Sequence, residues 1–256
     1  MGENLAGRSD SADLVSLSRL DPLLERVRSG PLPVLVPGQG VEERERKIVR
    51  AKLRRYGLTE ALLVNLPAPA PLSPSEVHKR RPENVLVAGL HKAENDLFRA
   101  TLRISDQQEM ILDHTTGSHV TGMVITEAVR QLSLAVGERY LLTPSDTARR
   151  FILNSLQTTF HRFLLPLPTR LEYRLADIQR NGPDRLRFTG TCDLLQADVL
   201  AASGSVDIVV MDEKCADRIE ARHLHEMTRV LAKSHVQQHQ ESPRRALSPA
   251  TVSQPS

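Results

Sequence analysis

The chain has 256 residues, 40% of them hydrophobic and 25% charged, enough to bury the core of one domain with room for a helical extension. Aromatic side chains make up 3% and Trp is absent, so aliphatic packing must carry that core. The net charge of +3 comes from Arg spread along the chain rather than from one block, a pattern that does not indicate a nucleic-acid surface and suits an anionic small substrate equally well.

The two cysteines, Cys192 and Cys215, fit neither a disulfide framework nor a CxxC metal site. The start, MGENLAGRSDSADL, lacks the apolar run of a signal peptide. Glu127, Arg130 and Glu138 interrupt the one helical stretch long enough to approach the roughly 20 apolar residues of a membrane span. No membrane span and a cytoplasmic location are therefore expected.

In chain order, residues 1 to about 40 are polar and charged around one amphipathic piece, ADLVSLSRLDPLLERVR, which predicts a helix on a mobile arm. GVEERERKIVRAKLRRYGL has helical charge spacing and a stop at Gly57; interleaved acids favour a solvated helix over a nucleic-acid arm. The proline-dense LPAPAPLSPS from Leu66 to Ser75 predicts an extended linker. Residues 1–76 are thus expected to be a helical and partly disordered extension.

Strand texture begins near Val77. NVLVAGL is a short apolar run, and LFRATLRI alternates Phe98, Ala100, Leu102 and Ile104 with Arg99, Thr101 and Arg103, the period of a half-buried strand. After a long helix between Val120 and Leu142 come RFILNSLQTTFHRFLLPLP, TRLEYRLADIQR, DRLRFTGTCDLLQ and VLAASGSVDIVVMD, with Asn181-Gly182 as a turn signal. These strands predict one curved antiparallel sheet. Residues 223–256 are expected to be a helix and a disordered tail; His223, His225, His235 and His239 there read as solvated rather than metal-binding, because no accompanying Glu or Cys motif is present.

Within the long helix, Val124, Ala128, Leu132, Ala135, Val136 and Tyr140 form an apolar stripe widened by Ile125 and Val129. Glu127, Arg130 and Gln131 lie at i, i+3 and i+4 beside it. On spacing alone they are either a surface patch or a site, since an enclosed carboxylate needs a cation or donors and a guanidinium offers a fork for phosphate or carboxylate. The preceding loop, DHTTGSHVTGM, holds Asp113, His114 and His119, and a loop imidazole is a possible general base. No nucleotide, metal or other cofactor fingerprint appears, and no cofactor is expected.

VHKRRPENVLVAGL at Val77 to Leu90 and DHTTGSHVTGMVITEAVRQ at Asp113 to Gln131 together resemble the A-factor biosynthesis hotdog domain, the AfsA-type family of γ-butyrolactone signal synthesis. The matching elements are Val77-His78-Lys79 and Glu127-Ala128-Val129-Arg130-Gln131. The resemblance implies an α+β hotdog fold over residues 77–222, a curved antiparallel sheet wrapped around a long central helix, with helical N- and C-terminal extensions. It also implies an acyltransferase-like enzyme of secondary metabolism and quorum sensing. Such an enzyme condenses a β-ketoacyl group, delivered by acyl carrier protein or acyl-CoA thioester, with the hydroxyl of dihydroxyacetone phosphate or a similar phosphorylated three-carbon acceptor.

By carry-over, Glu127 is the acid/base or substrate-orienting carboxylate, Arg130 holds phosphate or Glu127 itself, and Gln131 donates to a carbonyl. His78 and Lys79 are expected near the same entrance, with Gly122 and His119 among the substrate-binding residues. AfsA-type synthases typically carry two hotdog repeats, whereas this chain has one Glu-x-x-Arg-Gln motif, so a homodimer is expected to restore the pair. TGMVITEAVRQ is also similar to the helix start of hydroxyacyl-thioester dehydratases, in which His114 would be the catalytic imidazole. A dehydratase or thioesterase-like hotdog, or a non-catalytic acyl-binding accessory, is the alternative.

Overall fold

The computed structural model describes residues 1–6, 13–27, 33–112, 118–142, 148–182 and 185–241. The chain forms two compact units, Met1–Asp146 with Phe151–Val210, and Thr147–Arg150 with Met211–Ser256.

The first unit is organised by an antiparallel sheet. β1 (Val87–Glu94) and β2 (Leu97–Leu102) form a tight hairpin, with Val87 opposite Leu102 and Glu94 opposite Leu97. The predicted alternation is realised: Phe98, Ala100 and Leu102 are all buried, as is Ile104 just beyond the strand. A long excursion intervenes before β3 (Arg149–Phe160), β4 (Arg170–Arg180), β5 (Arg185–Gln196) and β6 (Val199–Asp212), giving the order β1-β2-β4-β5-β6-β3. On β5 every second residue from Leu186 to Leu194 is buried, and Tyr173 and Leu171 of β4 face Cys192 and Leu194 in register. The β5–β6 turn uses Ala197 and Asp198 at φ 47° and 62°, the paired left-handed geometry that matches strand twist.

The short α4 (Glu109–Leu112) comes after the hairpin, and α5 (Gly122–Val136) lies against this sheet, continued by one π-helical turn over Gly137–Leu141. Its predicted stripe is buried as far as Val136, with Val124, Ala128, Val129, Leu132, Ala135 and Val136 all at 0% exposure, while Tyr140 at its end is half-buried; the helix is the centre of the core. The approach of the sheet is tight. A methyl on Gly204 would stand 2.8 Å from Val129, and one on Gly137 would stand 2.7 Å from the Phe151 ring and 3.0 Å from Phe188.

The first 76 residues, expected as a mobile arm and linker, are in their described parts woven into the same unit. α1 (Glu3–Ala6), α2 (Leu20–Val27) and α3 (Glu43–Arg55) are present, and Leu20, Leu24, Val49, Leu53 and Leu63 form a small apolar cluster of their own. Gln39 stitches this layer to the sheet: its amide nitrogen donates to the Leu102 and Leu167 carbonyls at 3.1 Å each, and its oxygen accepts from the Ile104 N–H at 2.8 Å. The proline-rich stretch is not a free linker either. Leu72 N–H donates to the Val87 carbonyl and Gly89 N–H to the Ala70 carbonyl, so prolines cover the outer side of β1 and blunt an open edge. Gly89 takes φ +63° there, and a side chain would run into Pro69 at 2.7 Å, which explains a glycine in mid-strand.

In the second unit α6 runs from Glu213 to Glu241. The Asp212 carboxylate accepts from the Lys214 and Cys215 N–H groups at 2.9 and 3.3 Å, as an N-terminal cap does. Arg150 reaches Asp217 at 2.8 Å and Glu220 at 3.1 Å. Among the described residues no three His, Cys, Asp or Glu side chains form a metal-sized group, and no helix is long and apolar enough to cross a membrane. The tail expected after the helix, and the His239 side chain, lie outside the described residues.

Candidate functional site

α5 projects Glu127, Arg130 and Gln131 from one side, and the segment before β1 meets them. Arg130 grips Glu127 in a fork, Nε to Oε2 at 2.7 Å and Nη2 to Oε1 at 2.8 Å. Lys79 Nζ approaches Oε1 at 2.8 Å, and Gln131 Nε2 donates to the same oxygen at 3.0 Å. Burial works to raise the Glu127 pKa, but the hydrogen bonds from Arg130, Lys79 and Gln131 outweigh it and hold the carboxyl at about 2. Glu127 is therefore a permanent anion at neutral pH. In this arrangement it is an anchor for cations, and the acid/base half of its expected role does not suit it. One carboxylate against two cations leaves the group with a single surplus positive charge.

Gln131 is completely buried and ties the helix to the chain ahead of β1: it donates to the Asn84 carbonyl at 2.9 Å and accepts from the Leu86 N–H at 2.8 Å. Its amide serves the fold and faces the interior, so the expected donation to a substrate carbonyl finds no support in its contacts.

The triplet Val77-His78-Lys79 is held at three points. A 3-10 turn over Pro74–Val77, closed by a Ser73–Glu76 capping box, delivers His78 in the left-handed conformation at φ 53°, ψ 48°. Arg130 Nη2 donates to the Val77 carbonyl at 3.3 Å, Lys79 meets Glu127, and His78 Nε2 lies 3.1 Å from Glu138 Oε1. The reversed backbone at His78 lets consecutive residues serve different anions, at a cost of about 1–3 kcal/mol in strain that the three contacts offset. The His78 ring stands edge-on to Phe151 at 5.0 Å.

Of the other expected residues, His114 lies outside the described residues, as does Asp113. His119 precedes α5 and its ring packs on Phe163 at 4.9 Å. Gly122 is the first residue of α5, and a methyl there would press on the Phe160 ring at 2.9 Å, a packing requirement for this position. Sequence reading did not find Glu138. Its only signal is a carboxylate two turns and more beyond Arg130 on the same helix, and nothing local shows that it will meet His78.

The model of the A-factor biosynthesis hotdog domain matches residues 64–212, more than half of the chain and the whole of the segment that builds this group. The chain belongs to the A-factor biosynthesis hotdog family. Both elements, Val77-His78-Lys79 and Glu127-Ala128-Val129-Arg130-Gln131, fall inside the AfsA-type span and converge in space. A curated relative, 2-oxo-3-(phosphooxy)propyl 3-oxoalkanoate synthase of Streptomyces virginiae, is 27% identical over 128 residues, covering 50% of this chain and 39% of the relative. This AfsA-type chain thus spans less than half the length of the relative it matches. Among solved structures, a phenylacetic acid degradation-related protein from Ralstonia eutropha aligns with 15% identity and a TM-score of 0.36, covering 56% of this chain and 92% of that one. A substituted thioesterase from Pseudomonas aeruginosa aligns with 12% identity and a TM-score of 0.36, covering 49% and 81%.

Proposed function

We propose that this AfsA-type hotdog enzyme joins a β-ketoacyl group, carried as a thioester on acyl carrier protein or coenzyme A, to the hydroxyl of a phosphorylated three-carbon acceptor. The observation that carries this reading is the surplus positive charge around Glu127, with the Lys79 and Arg130 side chains still 28% and 24% exposed. A phosphate at that opening gains from both cations, whereas an uncharged acceptor gains from neither.

In the reaction, the acceptor oxygen attacks the thioester carbonyl, a C–O bond forms, the C–S bond breaks, and the hydroxyl proton ends on the departing thiolate. Glu127 is too weak a base to move that proton. His78 is the imidazole beside the cations: with its Nε2–H given to Glu138, Nδ1 is left to accept the hydroxyl proton and pass it to sulfur. Hydrolysis with Glu127 as base is disfavoured by the same grip that keeps it ionised.

A homodimer is part of the proposal. β3 closes the sheet on its other side with no residue fully buried, and Met123, Phe160 and Phe163 stand 66%, 53% and 76% exposed. A second copy would cover them and supply the second hotdog. Sedimentation of the wild type and of Phe163→Glu tests this, with a dimer and a monomer expected.

The reaction is tested by mass spectrometry of the full chain given a β-ketoacyl thioester with and without dihydroxyacetone phosphate. The reading expects a phosphorylated ester that disappears in Arg130→Gln and Lys79→Met. Free β-keto acid as the sole product would establish a thioesterase instead, and retained but unreacted acyl thioester a binding protein.

A further inference from the structure

The π-helical turn that follows α5 carries two charged residues in succession, Glu138 and Arg139, and both reach the turn that ends in His78. Glu138 Oε1 lies 3.1 Å from His78 Nε2. Arg139 Nε and Nη2 both donate to Glu76 Oε1, at 2.9 and 2.6 Å, and its Nη1 donates to the Leu90 carbonyl of β1 at 2.9 Å. The second Glu76 oxygen accepts from the Ser73 N–H at 3.0 Å and closes the turn. One carboxylate thus holds the shape of the turn with one oxygen and its distance from the helix with the other.

Ordinary helical spacing does not bring Arg139 here. It follows Arg130 by nine residues, which at about 3.6 residues per turn leaves it half a turn out of phase. A π-helical turn takes more residues per revolution, so the chain lags and Arg139 falls back part of the way toward the side of Glu138. Gly137 admits the Phe151 ring where a side chain would stand, and that ring meets the His78 imidazole edge-on. An ion pair whose side chains are 34% and 25% exposed adds little to global stability, so the effect of Arg139 and Glu76 is local order. A single contact through Glu138 leaves two long side chains free to swivel, whereas a second contact between the same two segments fixes the angle at which the imidazole is held.

We propose that Arg139 and Glu76 are positioning residues for His78: their ion pair clasps the π-helical turn to the segment before β1, so that Glu138 holds the imidazole in its Nε2–H form with Nδ1 left free. The proposal rests on the reading of His78 as the group that moves the hydroxyl proton. Neither Arg139 nor Glu76 touches the reactants; each acts on the reaction through the orientation of one ring, and a displacement of that ring by about 1 Å is worth up to about 100-fold in rate.

Two readouts on the full chain test it. Nitrogen-15 NMR of the imidazoles at alkaline pH should show His78 in one tautomer, Nε2–H, in the wild type and in an average of both tautomers in Arg139→Gln. With a β-ketoacyl-coenzyme A and dihydroxyacetone phosphate, Arg139→Gln should lower kcat about 10- to 100-fold and leave KM for both substrates unchanged. Arg139→Lys should recover part of the rate, because a lysine still reaches Glu76 but gives up the Leu90 carbonyl. Glu76→Gln breaks the clasp from the other side and should give the same two changes, so the result does not hang on the folding of one variant. A wild-type His78 without a fixed Nε2–H form, or an Arg139→Gln protein with the wild-type tautomer or the wild-type kcat, overturns the clasp. If the wild type forms no ester, the reaction reading falls and the tautomer alone decides the clasp.

Discussion

Lys79 Nζ stands 2.8 Å from Glu127 Oε1 and closes a carboxylate that Arg130 already holds through both oxygens. Because this lowers the Glu127 pKa from 4.5 to about 2, the sign of its contribution to stability is fixed. The group adds stability that is fully present above pH 4.5 and is lost as pH falls from 4.5 towards 2. Allowing for its partial solvent access, the amount is about 2 kcal/mol. Glu127→Gln should be less stable than wild type by about 2–3 kcal/mol at pH 7, because two cations lose their anion, and the gap should narrow steadily as the pH is lowered below 4.5. Urea unfolding of both proteins across this range measures it; a gap independent of pH contradicts the account.

The Gln131 amide is spent inside the protein, on Asn84, Leu86 and Glu127. Gln131→Leu keeps the volume but strands the buried Leu86 N–H and the Asn84 carbonyl, at a cost of about 2–4 kcal/mol. Gln131→Glu adds a second carboxylate against Glu127 and should be worse. Thermal unfolding ranks them. Activity recovered by binding a stabilising ligand, with normal kcat in the refolded fraction of Gln131→Leu, would show that the residue holds the site together without touching substrate.

The sheet and helix were legible because their periods are simple. The alternation at Phe98, Ala100 and Leu102 and the stripe through Val124, Ala128 and Leu132 each follow from one residue's neighbours in sequence, and the structure buries the same residues. The order β1-β2-β4-β5-β6-β3 was not legible, because placing β3 at the far side requires contacts between distant segments. The proline-rich stretch misled for a related reason: its extended geometry was read correctly, but extended chain pairs with an edge as readily as it spans a gap, and Leu72 and Gly89 make that choice here. Within the site, the Glu127–Arg130–Gln131 geometry follows from helical spacing, while the partners Lys79 and Glu138 depend on the turn at His78. A second cation, Lys79, invisible on the helix itself, arrives from that turn and favours the anchoring half of the role expected of Glu127 over the acid/base half.

His78 separates conformation from chemistry. Asparagine tolerates the left-handed backbone, so His78→Asn should change stability by no more than about 1 kcal/mol while lowering kcat for ester formation by about 100-fold, the usual worth of a general base. His78→Val should lose activity and also about 1–2 kcal/mol, because a β-branched residue is strained at φ 53°. Single-turnover kinetics with guanidinium unfolding distinguish the two losses. Full turnover in His78→Asn would move the base to another residue.

Tyr173 and Gly190 show how closely the strands are fitted behind α5. Tyr173 is fully buried on β4, and its ring lies over Gly190 of β5, where a methyl would stand 2.1 Å from the phenol oxygen and 2.3 Å from Cζ. Both contacts lie far inside the distance that carbon atoms tolerate, and the ring has no solvent to retreat into, since Phe98 lies 6.5 Å away on the neighbouring strand. Gly190→Ala should therefore destabilise by about 2–3 kcal/mol, although alanine ordinarily suits a strand better than glycine. Tyr173→Leu in the same chain should recover part of that loss, because the shorter side chain leaves room for the methyl. The two single variants and the double variant, compared by urea midpoint, give the coupling; strictly additive losses would mean that the two residues do not meet as described.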